Sequence, residues 1–176
     1  QVAKALIARG IEKGDRVGIW SPNRYEWVLL QFATARIGVI LVNINPAYRA
    51  HEVGYAINQS GLKMMVATLD LDWESFLHEA HTVNNEILHE RESNVDFDEA
   101  INIQYTSGTT GFPKGVTLTH NNILNNGYFI GLRLNYTEKD RVCIPVPFYH
   151  CFGMVIGNLC CVSHGACMVI PSDGFD

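Results

Sequence analysis

The sequence contains no run of hydrophobic residues long enough to cross a membrane. A membrane-spanning helix needs about 18 or more consecutive apolar residues, and the longest apolar segment, at 151–162, is interrupted by two glycines and an asparagine. We therefore predict a buried helix there. The chain also lacks an initiator Met and a signal-like start, because residues 1–4 already read as part of a helix. We expect the sequence to be an excerpt of a longer protein.

Charged residues are scarce and unevenly placed. They make up 18% of the 176 residues, whereas 47% are hydrophobic, which is enough apolar material for one buried core. Residues 69–99 contain ten of the 18 acidic residues but only one of the 13 basic ones, Arg91. The remainder is slightly positive, which permits an anionic ligand. No basic stripe is present, so we predict that the chain does not bind nucleic acid.

The sequence also lacks the paired-cysteine spacing of structural zinc sites. A zinc hypothesis can be assembled from His150, Cys151, Cys160, Cys161 and His164. Adjacent Cys160 and Cys161 would point to different sides of a helix, however, and no C-x-x-C is present. We predict no metal ligand and five free thiols. Free thiols indicate a reducing compartment, which we take to be the cytoplasm, with the mitochondrial matrix as the alternative.

One segment combines hydroxyls, glycines and a lysine: Thr106-Ser107-Gly108-Thr109-Thr110-Gly111-Phe112-Pro113-Lys114-Gly115. Glycines allow successive backbone N–H groups to converge on an anion, and a lysine adds a mobile positive charge. It differs from the common P-loop, which has Gly before the Lys and Ser or Thr after it. A surface turn is the alternative, since loops use the same residue types. We predict that Thr106, Ser107, Gly108, Thr109, Thr110, Gly111 and Lys114 bind a polyphosphate.

Three segments in this order resemble the adenylate-forming (AMP-binding) superfamily of acyl-CoA synthetases, luciferases and peptide-synthetase adenylation domains. The loop is similar to its phosphate-binding signature. Asn45-Pro46-Ala47-Tyr48-Arg49-Ala50-His51-Glu52-Val53 resembles an upstream structural motif, and Pro147-Phe148-Tyr149-His150-Cys151-Phe152-Gly153 resembles the segment that opens the acyl-binding helix. The resemblance covers roughly residues 1–67 and 101–176, and the sequence is most similar to those of medium-chain fatty-acyl-CoA synthetases.

The resemblance implies part of an ATP-dependent ligase that converts a fatty acid or other carboxylic acid into an acyl-adenylate and then a coenzyme A thioester. It implies catalytic roles for Lys114 and His150, and an acyl pocket lined by His150, Phe152, Met154 and Val155. ATP, Mg²⁺ and coenzyme A would take part, and the family's metal carboxylate lies downstream of this sequence. From the residues alone, without the motif, the favoured interpretation is that His150 anchors the helix start and that the apolar residues after it are ordinary core.

Two other functions stay open at this point: a nucleotide-binding module without catalysis, and an adenylation domain that loads a carrier protein. The oligomeric state is open as well. Six histidines other than His150 have no partner pattern, and we interpret them as structural or solvated. Among them, His120 directly follows the strand after the loop.

The hydrophobic pattern predicts an α/β fold of layered units with a mainly parallel sheet, as in the large N-terminal domain of an acyl-CoA synthetase. We divide the chain into a first α/β unit (1–68), an acidic connector (69–100) and a phosphate-loop and acyl-pocket unit (101–176). The connector is interpreted either as one or two short helices or as a solvated link. Helices are predicted at 2–9, from Pro22 (with Ser21 as N-cap) to Gly38, at 50–59, from Thr119 to about 133, and at 151–162. Strands are predicted at 16–20, 39–42, 62–67, 101–105 (half-buried), after the phosphate loop up to Leu118, and at 142–146 and 166–170.

Overall fold

A five-stranded sheet forms the centre of the structure, a computed structural model that describes residues 1–106 and 113–174. Its strands are β1 (Arg16–Trp20), β2 (Ile40–Ile44), β3 (Met64–Ala67), β4 (Ala100–Thr106) and β5 (Lys114–Thr119). They lie in the order β3-β1-β2-β4-β5, with β5 antiparallel to β4 and the other pairs parallel. The predicted α/β fold with a mainly parallel sheet is confirmed.

Helices cover this sheet, and a small second sheet follows it. The helices are α1 (Val2–Ala8), α2 (Tyr25–Arg36), α3 (Ala50–Ser60), α4 (Trp73–His78), α5 (Asn85–Ser93), α6 (His120–Leu134), a π-helix (Phe152–Leu159) and α7 (Cys160–His164), with a 3₁₀ turn at Glu79–Thr82. The second sheet pairs β6 (Arg141–Cys143) in parallel with β7 (Cys167–Val169). None of the helices in the described ranges is long and apolar enough to cross a bilayer.

The start of α2 was predicted wrongly. The helix begins at Tyr25, with Arg24 rather than Ser21 as its N-cap. The Ser21 hydroxyl donates to the Pro22 carbonyl at 2.9 Å and also bonds to the Thr68 hydroxyl. Ser21 is therefore occupied in joining the ends of β1 and β3, and the chain travels three further residues before it turns into a helix.

The acidic segment contains two helices, α4 and α5, whose Phe76 and Leu88 side chains are buried in the main core. Asp72 and Asn84 cap α4 and α5 by accepting hydrogen bonds from backbone N–H groups at 3.1 and 2.9 Å. Phe76 is fully buried in the main core. The Arg9 guanidinium lies 4.8 Å from the centre of the Phe76 ring and pairs with Glu79 at 2.8 Å, which lowers the pKa of that carboxyl.

The apolar segment at 151–162 is helical, but most of it is a π-helix rather than an α-helix. It lies against α6, whose N-terminus is capped by Thr119, as predicted, through a bond from the Asn122 N–H at 3.2 Å. A Cβ at Gly127 would stand 2.8 Å from the Leu159 Cβ. Close approach at this glycine supplies the tertiary packing that an asparagine-rich helix requires.

The five thiols differ sharply in exposure. Cys160 and Cys161 are fully buried, whereas Cys143, Cys151 and Cys167 are exposed, and none is in a disulfide. Burial raises the pKa of Cys160, and it raises the pKa of Cys161, beside Cys160, to about 11.

Alkylation at neutral pH should therefore label the three exposed thiols first. Because each pKa unit changes the thiolate fraction tenfold, the Cys161 thiolate should be about 100-fold scarcer than that of an ordinary thiol. Peptide mapping after N-ethylmaleimide treatment measures this order, with urea-unfolded protein as the control in which all five react. Rapid labelling of Cys160 or Cys161 in the native protein would contradict the packing described here.

Candidate functional site

The carboxyl ends of the parallel strands open into a cavity with about 790 Å³ of empty space, here called the outer cavity. Such an edge is where α/β sheets usually bind ligands, because loops and strand ends converge there. Amide, hydroxyl, phenol, imidazole and thiol side chains line it, and none of the described lining residues carries a carboxylate. The lining residues are Asn43, Asn45, Tyr48, Gln104, Tyr105, Thr106, Tyr149, His150 and Cys151.

Thr106 and Lys114 flank the predicted polyphosphate loop. They face each other across the antiparallel pair β4–β5, and the Thr106 hydroxyl lies 3.5 Å from the Lys114 carbonyl. Directly opposed residues of an antiparallel pair project to the same face of a sheet. The exposed Lys114 side chain therefore shares a face with Thr106 at the rim of the outer cavity. The predicted loop residues Ser107, Gly108, Thr109, Thr110 and Gly111 lie outside the described residues.

His150 lines the outer cavity and is exposed, two residues before the π-helix begins at Phe152. Its Nδ1 accepts a hydrogen bond from the Phe152 N–H at 3.2 Å. In a neutral imidazole only one nitrogen carries a proton, so this bond assigns the proton to Nε2. The structure thus shows His150 anchoring the helix start, and this contact leaves Nε2–H able to donate toward the cavity; a catalytic role for His150 stays a prediction.

The three apolar residues predicted for the acyl pocket point to three different places. Met154 is fully buried, Val155 lines a separate shallow depression beside α6, and the Phe152 side chain is half exposed. Met154 borders a second cavity, here called the inner cavity, with about 580 Å³ of empty space. The structure therefore does not bring the four predicted residues into one cavity: His150 lines the outer cavity, Met154 the inner cavity and Val155 the depression beside α6, while Phe152 lines none of these three.

The inner cavity lies between one face of the sheet and the helices that cover it. Its walls are mostly apolar. They are formed by Gln31, Phe32 and Ala35 of α2, Leu41 of β2, Ile101 and Asn102 of β4, His120, Ile123 and Leu124 of α6, and Met154 and Leu159 of the π-helix.

The sequence does not identify the amide side chains that lie between the two cavities, and its alternating pattern predicts that β4 is half-buried. Asn102 and Gln104 are 2% and 7% exposed, so both faces of β4 are covered and that prediction is wrong. Burial is tolerated because the amides are partnered: Asn102 donates to the Leu41 carbonyl at 3.0 Å and to the Asn43 Oδ1 at 3.1 Å. One feature of the sequence could have indicated this burial: the polar positions of β4 hold neutral amides rather than charged side chains.

A second missed residue, Asn23, holds the segment that leads to His150. Its Nδ2 donates to the Val146 carbonyl at 2.9 Å, and its Oδ1 accepts from the Phe148 N–H at 2.8 Å. Asn23 is 4% exposed. One buried amide thus fixes two backbone groups on either side of Pro147, more than 120 residues away in sequence. Nothing local in the sequence indicates this pairing.

Replacing Asn23 with alanine should destabilise the fold by about 1–3 kcal/mol, because it leaves a buried carbonyl and a buried N–H without partners. Urea unfolding measures the loss. Asn85→Ala, an exposed substitution on α5, is the control and should change stability by less than about 0.5 kcal/mol. Equal unfolding midpoints for the two variants would rule out a structural role for the Asn23 amide.

Two aromatic hydroxyls complete the outer cavity. The Tyr105 hydroxyl donates to the Ala56 carbonyl of α3 at 3.1 Å, which ties β4 to the helix that follows β2. Burial raises the pKa of Tyr105, and burial together with the nearby Glu52 raises that of Tyr48. Both phenols are therefore neutral at physiological pH and can act as hydrogen-bond donors.

Comparisons with known proteins find relatives that cover the whole chain. YngI of Bacillus subtilis (strain 168) is 41% identical, over 100% of this chain and 40% of its own length. The mitochondrial medium-chain acyl-CoA ligase ACSF2 of Danio rerio is 36% identical, over 100% of this chain and 37% of its own length. The chain thus spans about two fifths of the length of these curated relatives.

A solved structure and a family model lead to the same family. The crystal structure of ATP-bound MatB from Rhodopseudomonas palustris superposes with a TM-score of 0.78 at 25% identity, over 99% of this chain and 39% of that one. The family model described as AMP-binding enzyme matches residues 1–176. The match extends along the whole chain, and the chain belongs to this family of adenylate-forming, AMP-binding enzymes.

Proposed function

We propose that this chain is the N-terminal part of an ATP-dependent acyl-CoA ligase. One observation carries the proposal: the rim of the polyphosphate loop, at Thr106 and Lys114, and the His150 segment meet at one cavity on the carboxyl edge of the sheet. Relatives that cover the whole chain support it, since ACSF2 is named a medium-chain acyl-CoA ligase.

In the proposed first step, a carboxylate oxygen attacks the α-phosphorus of ATP, and pyrophosphate leaves with the bridging oxygen. Both reactants are anions, so the site must neutralise charge while it aligns them. Lys114, with the hydroxyls and N–H groups of the loop, would hold the β- and γ-phosphates and stabilise the negative charge that develops on pyrophosphate. The Nε2–H of His150 would donate to the substrate carboxylate and orient it toward the phosphorus.

In the second step, the thiol of coenzyme A attacks the carbonyl carbon of the acyl-adenylate, and AMP leaves. Mg²⁺, when bound, would neutralise phosphate charge. It keeps several waters and prefers oxygen ligands, and it usually binds through few protein groups. The Thr106 hydroxyl is an oxygen donor at the outer cavity, but the Asn45 Oδ1 already accepts from the Ala47 N–H at 2.9 Å, and none of the described lining residues carries a carboxylate, so we assign Mg²⁺ no ligand in this part of the chain.

The acyl chain would extend from His150 past Met154 into the inner cavity. Met154 Sδ lies 3.3 Å from Asn43 Nδ2, and 3.7 Å from Gln104 Nε2, and both amides line the outer cavity. Met154 therefore forms the wall between the two cavities. A methionine side chain is unbranched and readily adopts other rotamers, so it can turn aside for an alkyl chain. In this proposal Phe152 and Val155 flank the path and Met154 contacts the chain.

The proposal is tested with the complete protein by exchange of labelled pyrophosphate into ATP. Exchange that depends on an added carboxylic acid, followed by thioester formation when coenzyme A is supplied, is the expected result. ATP binding by calorimetry without any exchange would instead identify a non-catalytic nucleotide-binding module. Exchange without transfer to coenzyme A, but with transfer to a carrier protein, would identify a carrier-loading adenylation domain.

We also propose a reducing compartment for the complete protein. The five free thiols support it. The cytoplasm is the first choice and the mitochondrial matrix the alternative, the latter supported by the mitochondrial ACSF2 relatives. Fractionation of cells that express the tagged full-length protein distinguishes the two.

A further inference from the structure

Asn102, one of the residues that line the inner cavity, carries a buried hydrogen-bond acceptor that lacks a partner among the described residues. Asn102 is 2% exposed, and its Oδ1 makes no hydrogen bond with any described residue. The orientation of this amide is fixed, because its Nδ2 donates to the Leu41 carbonyl, which can only accept. An acceptor left unpaired in an apolar wall is costly, so its position indicates a missing donor.

A second residue that lines this cavity, His120, also carries an unpartnered polar atom. The His120 Nε2 is buried and has no hydrogen-bond partner among the described residues. Burial lowers the pKa of His120, and the nearby Glu99 only partly opposes this shift. The ring is therefore neutral at physiological pH and offers one donor or acceptor nitrogen rather than a charge. A hydroxyl group matches both atoms, since it donates once and accepts through its lone pairs.

The distance from the reacting end to these atoms suits a substrate of medium length. Asn102, Gln104 and Thr106 alternate along one face of β4, so that face extends from the inner cavity to the rim of the phosphate loop. Four residues of strand span about 13 Å. An acyl chain that begins at the outer cavity and passes Met154 would place its far end beside Asn102 and His120.

We propose that the inner cavity selects carboxylic acids with a hydroxyl group at the distal end of the acyl chain, through hydrogen bonds to Asn102 Oδ1 and His120 Nε2. This inference rests on the proposed ligase function and adds the substrate class. The apolar walls hold the methylene groups, and the two polar atoms distinguish a hydroxylated end from a methyl end. A site with a buried acceptor discriminates against an analogue that cannot satisfy it.

The test compares octanoate with ω-hydroxyoctanoate in acid-dependent pyrophosphate exchange by the complete protein. We expect kcat/KM to favour the hydroxy acid by about tenfold or more, which is the effect of one buried hydrogen bond. A ratio of one, or a preference for octanoate, would overturn the proposal while leaving the ligase function intact. Failure of every acid to support exchange would overturn both.

Substitution of His120 identifies the group responsible. His120→Leu should bring the ratio of kcat/KM values at least threefold closer to one. His164→Leu is the matched control, because His164 also has a buried, unpartnered Nε2 but does not line the inner cavity. It should leave the ratio unchanged. If His120→Leu kept both the preference for the hydroxy acid and the wild-type unfolding temperature, His120 would be excluded from the site. The ratio measured with the wild-type protein tests the proposal without any variant.

Discussion

Replacing Lys114 with alanine in the complete protein should lower acid-dependent pyrophosphate exchange about 100-fold, the usual effect of removing one donor that stabilises developing charge. Lys114 faces Thr106 at the rim of the outer cavity, where the departing pyrophosphate would carry its charge. The side chain is exposed, so its removal should have little effect on folding. The loss should therefore appear in kcat rather than in the unfolding temperature.

Two further variants make this result specific. Lys114→Arg keeps the charge but changes its geometry, so it should recover part of the activity. Lys139→Ala removes an equally exposed lysine on the turn after α6 and should have no effect on exchange. Activity of Lys114→Ala within about threefold of wild type would eliminate the proposed contact with the phosphates, and the loop would then have to act through its backbone alone.

The sequence is a good guide to the elements of this fold because their signals are local. The continuous apolar run at 39–42 predicts β2, the capping residue Thr119 predicts the start of α6, and Gly61, in a left-handed conformation, ends α3. The start of α2 could not be predicted in this way. Serine is a favourable N-cap residue, but the Ser21 hydroxyl is hydrogen-bonded to the hydroxyl of Thr68, which lies 47 residues away in sequence.

The site was only partly accessible from sequence for the same reason. Thr106, Lys114 and His150 belong to sequence motifs whose residue types and order indicate a function. The described members of those motifs lie around one cavity. Asn23, by contrast, acts only through the backbone groups of Val146 and Phe148. The alternation of apolar and polar residues in β4 predicts that its polar face is exposed to solvent. A helix from a distant part of the chain covers that face, and the sequence of the strand itself does not indicate this.

Gly153 lies where the π-helix packs against the segment that carries His150. We expect Gly153→Ala to destabilise the protein more than Lys114→Ala does. A Cβ built at Gly153 would overlap the Pro147 carbonyl oxygen, and would lie 2.7 Å from the Pro147 carbonyl carbon and 3.0 Å from the Phe148 Cα. All three atoms belong to the backbone, so no side-chain rotation relieves the overlap. The π-helix must move away from the segment that carries His150, at a cost of about 1–3 kcal/mol or more.

The same movement should reduce activity, because a displacement of roughly 1 Å at a positioned group costs about 100-fold in rate. Urea unfolding and pyrophosphate exchange of Gly153→Ala measure the two losses separately. Gly54→Ala is the matched control: Gly54 lies inside α3, and a Cβ there would meet nothing within 4 Å. That substitution should stabilise the protein by about 0.5–1 kcal/mol, since alanine favours a helix over glycine. If Gly153→Ala were as stable and active as Gly54→Ala, close contact between the π-helix and Pro147 could not be what positions His150.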